Sequence, residues 1–176
     1  YNYWRLTAGR SGWLGIGEKN NFWSIEANYN IGNTRTNMDF WSSNTSFLWK
    51  QALSKSTSVM WRSSIESIYA KKLALVPAAS QLYIGGNSSN RGYEPYAYSS
   101  LDIQTKSYAY KVSSQFDLPF SVSWDKSWIN TVSPFVDLTI MGSDIASRTR
   151  ELLSIGLSVS GKISSLPFRV DLSSPL

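Results

Sequence analysis

Apolar and polar residues alternate with a period of two along most of this chain. The pattern is clearest in FWSIEANYNIG at 22–32, ELLSIGLSVSGK at 151–162 and PFRVDLSS at 167–174. Because successive side chains of a β-strand point to opposite faces, each segment has one apolar and one polar face. A helix would scatter the same residues around its circumference. The pattern therefore predicts an all-β protein built from long strands.

Turn-forming residues divide the alternating pattern into about eight predicted strands. These residues are concentrated in the segments GIGEKNN, GNTRTN, ALSKST, DLPF and GSDIAS. The predicted strands span residues 3–13, 22–33, 44–54, 56–70, 101–116, 130–141, 150–162 and 166–173. The segment at about 80–100 is rich in Gly, Ser, Asn and Tyr, so we predict a long loop there.

The composition indicates that the apolar strand faces meet lipid. Charged residues make up 16% of the chain and aromatic residues 14%. The polar faces are rich in Ser, Asn and Gly rather than Lys and Glu, and Trp and Tyr lie near strand ends, as in transmembrane barrels. No apolar run reaches the ~18 residues of a membrane-spanning helix. We therefore predict that residues 1–176 form part of a transmembrane antiparallel β-barrel; a soluble β-sandwich is the alternative.

The residue inventory limits the chemistry that this chain could perform. It contains no Cys and no His, which excludes thiol catalysis, disulfides, His-ligated metals and a Ser–His nucleophile. The net charge is +5, but the basic residues are scattered, unlike the clustered footprint of a nucleic-acid-binding protein. The segment GGNSSN at 85–90 lacks the Gly-Lys-Ser/Thr ending of a phosphate loop. We expect no enzymatic activity, no cofactor, no metal and no nucleic-acid partner.

Acidic residues crowd one region of the chain and raise the question of a glycosidase pair. Most of them lie in turn-like segments and are expected to be solvated; the group comprises Asp117, Asp125, Asp137, Asp144 and Glu151. Asp137 differs, because the apolar neighbours Val136 and Leu138 assign it to the polar face of its strand. A carboxylate there needs a cation, and Arg91 in the long loop is a candidate. A solvated Arg91 on a surface loop is the alternative.

Two segments contain recognisable motifs. The loop segment LYIGGNSSNRGYEP at 82–95 has a Gly-Gly lead-in and the tetrad NRGY, and FVDLT at 135–139 lies on a later strand. They resemble the Val-Arg-Gly-Phe/Tyr and Phe-x-Asp-x-Gly motifs of two-partner-secretion transporters. These form the haemolysin-activator and filamentous-haemagglutinin-transporter family, within the outer-membrane assembly and translocation superfamily. The resemblance covers roughly residues 44–176 and is strongest at 80–95 and 132–176.

The resemblance assigns roles to individual residues. In the family the loop folds back into the barrel lumen, where its Arg meets the Asp of a wall strand, so Arg91 would pair with Asp137. The remaining residues of the two motifs are Gly85, Gly86, Gly92, Tyr93 and Phe135. Asn90 and Thr139 depart from the family pattern, which has Val and Gly there. From its residue type, Gly92 permits close backbone passage, and Tyr93 brings a ring whose hydroxyl can form a hydrogen bond.

The resemblance also implies a function and a location. It implies a multi-pass pore of the bacterial outer membrane, in contact with lipid and lipopolysaccharide, that secretes an exoprotein of the adhesin, haemolysin or toxin type. Family members have a sixteen-stranded barrel after two periplasmic domains. We therefore expect the C-terminal part of a barrel without its last strand, ending in a turn at SSPL. The alternatives are an outer-membrane protein insertase of the same superfamily and a stand-alone eight-stranded barrel.

Overall fold

The structure of the protein is a computed structural model that describes residues 3–14, 21–32, 39–103, 106–122, 128–144 and 149–176. Within these ranges the regular elements are β-strands, apart from two 3₁₀ helices at Leu73–Leu75 and Ala78–Ser80. Neither of these helices is long and apolar enough to cross a membrane. The predicted all-β architecture is confirmed.

The long strands form one antiparallel sheet. In chain order the strands of the described residues are β1 Tyr3–Leu14, β2 Asn21–Gly32, β3 Phe40–Ala52, β4 Ser58–Ala70, β5 Tyr83–Ile84, β6 Tyr98–Ser99, β7 Tyr108–Asp117, β8 Phe120–Ser121, β9 Ile129–Ser143, β10 Thr149–Ile163 and β11 Leu166–Pro175. The sheet order is β1-β2-β3-β4-β7-β9-β10-β11, with β8 also paired to β9 and a separate β5–β6 pair. Within the described residues β1 and β11 are the sheet edges, and no pairing closes a barrel.

The two faces of the sheet bury different kinds of side chain. Burial alternates from residue to residue along much of β7, β9 and β10, as the sequence pattern predicts. We call the buried side the covered face; it includes Lys111, Gln115, Asp117, Asp137, Thr139 and Ser154. We call the opposite side the outer face; it includes Ile65, Phe116, Leu138, Ile155, Leu157 and Leu172, all exposed. The predicted separation of polar and apolar faces is confirmed on these strands.

The long loop between β4 and β7, residues 71–107, lies on the covered face. The apolar residues of the loop pack on apolar side chains near one end of the sheet. These strand side chains lie on a mostly polar face, so the loop supplies the apolar partners that keep them from water. This apolar cluster consists of Leu73, Val76, Leu82, Ile84 and Ile103 from the loop and of Phe40, Ile68, Ala70, Ala109, Met141 and Leu152 from the strands. The loop is longer than the predicted span of 80–100.

Three predicted boundaries are wrong. The strand predicted at 44–54 begins earlier, at Phe40. The strand predicted at 101–116 begins at Tyr108, because residues up to Ser107 belong to the loop. The segment SSPL, predicted to be a turn, continues β11 to Pro175, and its backbone pairs with β10 from Ser154 to Gly156. Of the predicted turns GIGEKNN at 15–21, GNTRTN at 32–37 and GSDIAS at 142–147, residues 15–20, 33–37 and 145–147 lie outside the described residues, as do the side chains of residues 22–28.

Candidate functional site

The loop turns back on itself at two glycines and so directs its tip toward the sheet. Gly85 and Gly86 have φ angles of 113° and 74°, a region that side chains strongly disfavour. A Cβ at Gly85 would stand 2.0 Å from the carbonyl oxygen of Glu94. The backbone N–H of Gly86 donates to the carbonyl of Tyr93 at 3.0 Å, which closes the turn around Arg91.

Arg91 forms a bidentate ion pair with Asp137 on the covered face. Its Nε and Nη2 atoms lie 2.8 and 2.5 Å from the two carboxylate oxygens of Asp137. The backbone N–H of Arg91 also donates to Asp137 Oδ2 at 2.8 Å. Asp137 has no exposed surface, and the ring centre of Phe135 lies 3.5 Å from the guanidinium carbon. The predicted Arg91–Asp137 contact is therefore present.

A second carboxylate, Asp117, holds the other side of the guanidinium. Arg91 Nη1 lies 2.7 Å from Asp117 Oδ1, and Nη2 lies 3.4 Å from Oδ2. The expectation that Asp117 is solvated is wrong, because only 1% of it is exposed. It is the last residue of β7 rather than part of the following turn, and it shares a face with Ser113 and Gln115. Continuing the period of two by one more step would have found it.

The two carboxylates keep Arg91 firmly in its charged form. Burial alone would lower the pKa of Arg91, but its hydrogen bonds to Asp137 and Asp117 outweigh burial and raise that pKa above its ordinary value. The fixed planar geometry of a guanidinium fits such a site, because it can satisfy both carboxylates in one plane. The chemistry of this arrangement is anchoring, since both acids are occupied by a cation.

Asp117 also connects the loop to the edge strand β11. Arg169 Nη2 lies 3.6 Å from Asp117 Oδ1, the same oxygen that binds Arg91. Arg169 is held in turn by Asp171 at 2.9 Å and by the Ser158 hydroxyl at 2.7 Å. Ser158 also donates to Asp171. Charges of alternating sign therefore run from Arg91 to Asp171.

Close backbone packing supports the ion pairs. A Cβ at Gly92 would stand 2.2 Å from Cβ of Ser154, so only glycine lets the loop approach β10 this closely. Asn90 donates to the carbonyl of Leu152 at 3.0 Å and accepts from the Ser154 hydroxyl at 2.7 Å. Ser173 of β11 donates to the carbonyl of Arg91 at 2.7 Å. The loop backbone on both sides of Arg91 is therefore fixed to β10 and β11.

Further side chains of the covered face bind carbonyl groups of the loop. Thr139 donates to the carbonyl of Ser89 at 2.9 Å, and Gln115 donates to that of Asn87 at 3.1 Å. Lys111 donates to the carbonyl of Tyr83 at 3.1 Å and pairs with Glu66 at 2.8 Å. The sequence analysis did not identify these anchors, although each is separated by an even number of residues from Asp117 or Asp137 on the same strand and so lies on the same face.

The remaining candidate residues fall into different environments. The ring of Tyr93 packs against the apolar cluster. Asp144 is exposed and accepts backbone N–H groups from Lys106 and Ser107, Glu151 is exposed, and Asp125 lies outside the described residues. In the part of the chain that the structure describes, no group of three or more His, Cys, Asp or Glu side chains could hold a metal ion.

Comparison of this chain with family models, with curated proteins and with solved structures gave no match. The resemblance to two-partner-secretion transporters remains a prediction based on the two motifs.

Proposed function

We propose that the chain forms part of the wall of an outer-membrane protein-translocating pore, in which the long loop is a plug anchored by Arg91. The observation that carries this proposal is the buried ion network, which fastens a separate loop to the polar face of a sheet whose opposite face is apolar. The resemblance at 82–95 and 135–139 adds the cargo, an exoprotein of the adhesin, haemolysin or toxin type.

The outer face supports a location in lipid. Its exposed apolar side chains extend over neighbouring strands, with Ile65 on β4, Leu138 on β9 and Leu157 on β10. A continuous apolar surface of this kind is costly in water but suits the hydrocarbon region of a bilayer. Localisation in the outer membrane, with contacts to lipid and lipopolysaccharide, is part of the proposal.

The covered face supports a removable plug. β7, β9 and β10 are paired with one another by their own backbone ladders, so the wall does not depend on the loop for its register. The loop tip is attached through side chains, above all Arg91 on Asp117 and Asp137. Withdrawal of the loop tip would therefore open a polar surface without unfolding the wall.

Deletion of residues 86–98 tests the plug. Strand β5 ends at Ile84 and strand β6 begins at Tyr98. The deletion therefore removes the tip and the first residue of β6, and it spares most of the base of the loop. We expect higher conductance of the intact protein in planar bilayers and loss of exoprotein secretion. The Arg91→Ala variant should give intermediate conductance. Unchanged conductance in both variants would place the loop outside the conducting path and contradict the proposal.

A pair of arginine substitutions tests the membrane location. Leu157→Arg on the outer face should reduce the stability of the folded protein in bilayers by about 2–4 kcal/mol, as expected for a charge near the midplane. Asn44→Arg is the matched control, because Asn44 is exposed and pairs across the strands with Glu66. Equal losses in the two variants would argue against lipid on the outer face.

A further inference from the structure

The groups that bind the guanidinium of Arg91 all belong to the wall. Asp117 is on β7, and Phe135 and Asp137 are on β9, so the loop supplies none of the acceptor oxygens and none of the aromatic surface. The three residues are held by strand pairing that is independent of the loop. The backbone positions of these three residues, which we call the wall pocket, therefore do not depend on the loop tip.

The wall pocket is shaped for a planar cation. Its four carboxylate oxygens lie 2.5–3.4 Å from three nitrogens of the guanidinium, and the Phe135 ring stacks beneath the guanidinium carbon at 3.5 Å. A planar fork can reach both carboxylates at once, whereas an ammonium is a compact point charge. Arg91 is thus an intramolecular ligand of a site with its own specificity.

After loop withdrawal, Asp117 keeps a cationic partner in the described part of the chain and Asp137 does not. Arg169 already lies 3.6 Å from Asp117 and remains on β11 as its partner. For Asp137, Arg91 is the one cationic partner among the described residues. Withdrawal of the loop also removes the groups that cover Asp137, so its carboxylate faces the opened polar surface and is available to another guanidinium.

We propose that the wall pocket of Asp117, Phe135 and Asp137 is a guanidinium-binding site for arginine side chains of another polypeptide, which Arg91 occupies while the loop is docked. The proposal rests on the proposed function, because a polypeptide passing through the pore is the source of that arginine. The passing chain presents successive side chains to the covered face, so one of its arginines can occupy the wall pocket when the loop tip is withdrawn.

Chemical rescue tests the wall pocket without reference to secretion. In the Arg91→Ala variant of the intact protein, methylguanidinium at millimolar concentration should raise the unfolding temperature. Tetramethylammonium at the same concentration should not, because it has no N–H groups. The Arg91→Ala/Asp137→Asn variant should not respond to methylguanidinium. No response in Arg91→Ala, or an equal response in both variants, would overturn the proposal.

Peptide binding tests the source of the arginine. An unstructured Ser/Asn peptide with one arginine should bind Arg91→Ala at least about tenfold more tightly than the same peptide with glutamine. The wild-type protein should bind both peptides weakly, because its pocket is occupied. Equal binding of the two peptides by Arg91→Ala would overturn the polypeptide part of the proposal. Arginine-dependent binding by a protein that secretes nothing would instead contradict the proposed function and leave the site intact.

A thiol-accessibility measurement covers the case in which Arg91→Ala does not fold. The chain has no cysteine, and Ser113 is buried on the covered face, with its hydroxyl 3.5 Å from that of Thr139, which holds the loop carbonyl of Ser89. In the Ser113→Cys variant, methylguanidinium should compete with Arg91 and increase the rate of labelling by a maleimide. A labelling rate that does not change with methylguanidinium, or that rises equally with tetramethylammonium, would contradict the proposed site.

Discussion

The base and the tip of the long loop are attached to the same face of the sheet by different forces. At the base, Leu73, Leu82 and Ile84 pack among apolar strand residues. At the tip, Arg91 is held by two buried carboxylates, and the backbone around it by hydrogen bonds. Apolar packing is non-directional and tolerates changes of similar volume, whereas a bidentate ion pair requires particular atoms in particular places.

This difference suggests a division of labour within the loop. Removing one methyl group from the base lowers its stability by a small step, so the base is a graded attachment. Removing Arg91 from the tip leaves Asp137 buried without a cationic partner among the described residues, so the loss of this one side chain strongly destabilises docking of the tip. The proposed plug must be held and then released. It therefore needs an all-or-none ion-pair attachment at its moving tip and a graded apolar attachment at its fixed base.

The largest effect should come from breaking the ion pair at the tip. Arg91→Ala should cost about 3–5 kcal/mol of loop docking, because it leaves Asp137 buried without its cation. Asp137→Ala should cost less, because Arg91 keeps its contact with Asp117 at 2.7 Å. The double variant should be no worse than Arg91→Ala, since that change already breaks the Arg91–Asp137 interaction. Denaturant unfolding of the four proteins, with thiol labelling in the Ser113→Cys background, measures these costs. Additive losses would mean that the two side chains act independently.

Truncation in the apolar cluster should come next. Ile84 is fully buried, so Ile84→Ala should cost about 3 kcal/mol, as is typical of such cavities. Conservative substitutions should show the largest difference in stability between the base and the tip of the loop. Ile84→Val should cost only about 1 kcal/mol, whereas Arg91→Lys should lose most of the docking energy because an ammonium cannot reproduce the fork. Similar effects of these two conservative variants on unfolding would remove the distinction between base and tip.

A smaller effect is expected from crowding the tip. Gly92→Ala should cost about 1–3 kcal/mol, because its new methyl group collides with Cβ of Ser154. Combining it with Ser154→Gly makes room for that methyl group, so the double variant should be more stable than the sum of the single changes predicts. Strict additivity in unfolding experiments would indicate that the Gly92–Ser154 approach does not limit docking.

The smallest effect concerns a hydrogen bond of Asn90, a residue that stands where the family pattern has Val. Asn90→Val should cost about 1–2 kcal/mol, because the buried hydroxyl of Ser154 loses its acceptor. Adding Ser154→Ala removes that hydroxyl, so the double variant should recover part of the loss. A further loss in the double variant, measured by the same unfolding experiment, would show that Ser154 contributes through another contact.

Local pattern was enough to predict the long strands and the presence of the loop, but not the full extent of the loop or the whole site. The alternation assigned Leu157 and Ser158 to opposite faces because strand geometry is local. The short strands β5, β6 and β8 escaped prediction, since their pairing depends on where the loop lies. Arg91 and Asp137 are 46 residues apart in sequence, and the resemblance rather than the pattern joined them. Asp117 was missed because the Leu-Pro after it is typical of a turn.

Gly156 extends the reach of the site to a residue that touches no charge. A Cβ at this position would stand 2.3 Å from the carbonyl oxygen of Leu172 and 2.5 Å from the ring of Phe135. The ring of Phe135 therefore packs closely against Gly156, and the guanidinium of Arg91 lies over the same ring. In a genetic screen for leaky pores, substitutions of Gly156 should be recovered together with those of Arg91. The phenotype would map to β10, although the loop begins 85 residues earlier, at residue 71.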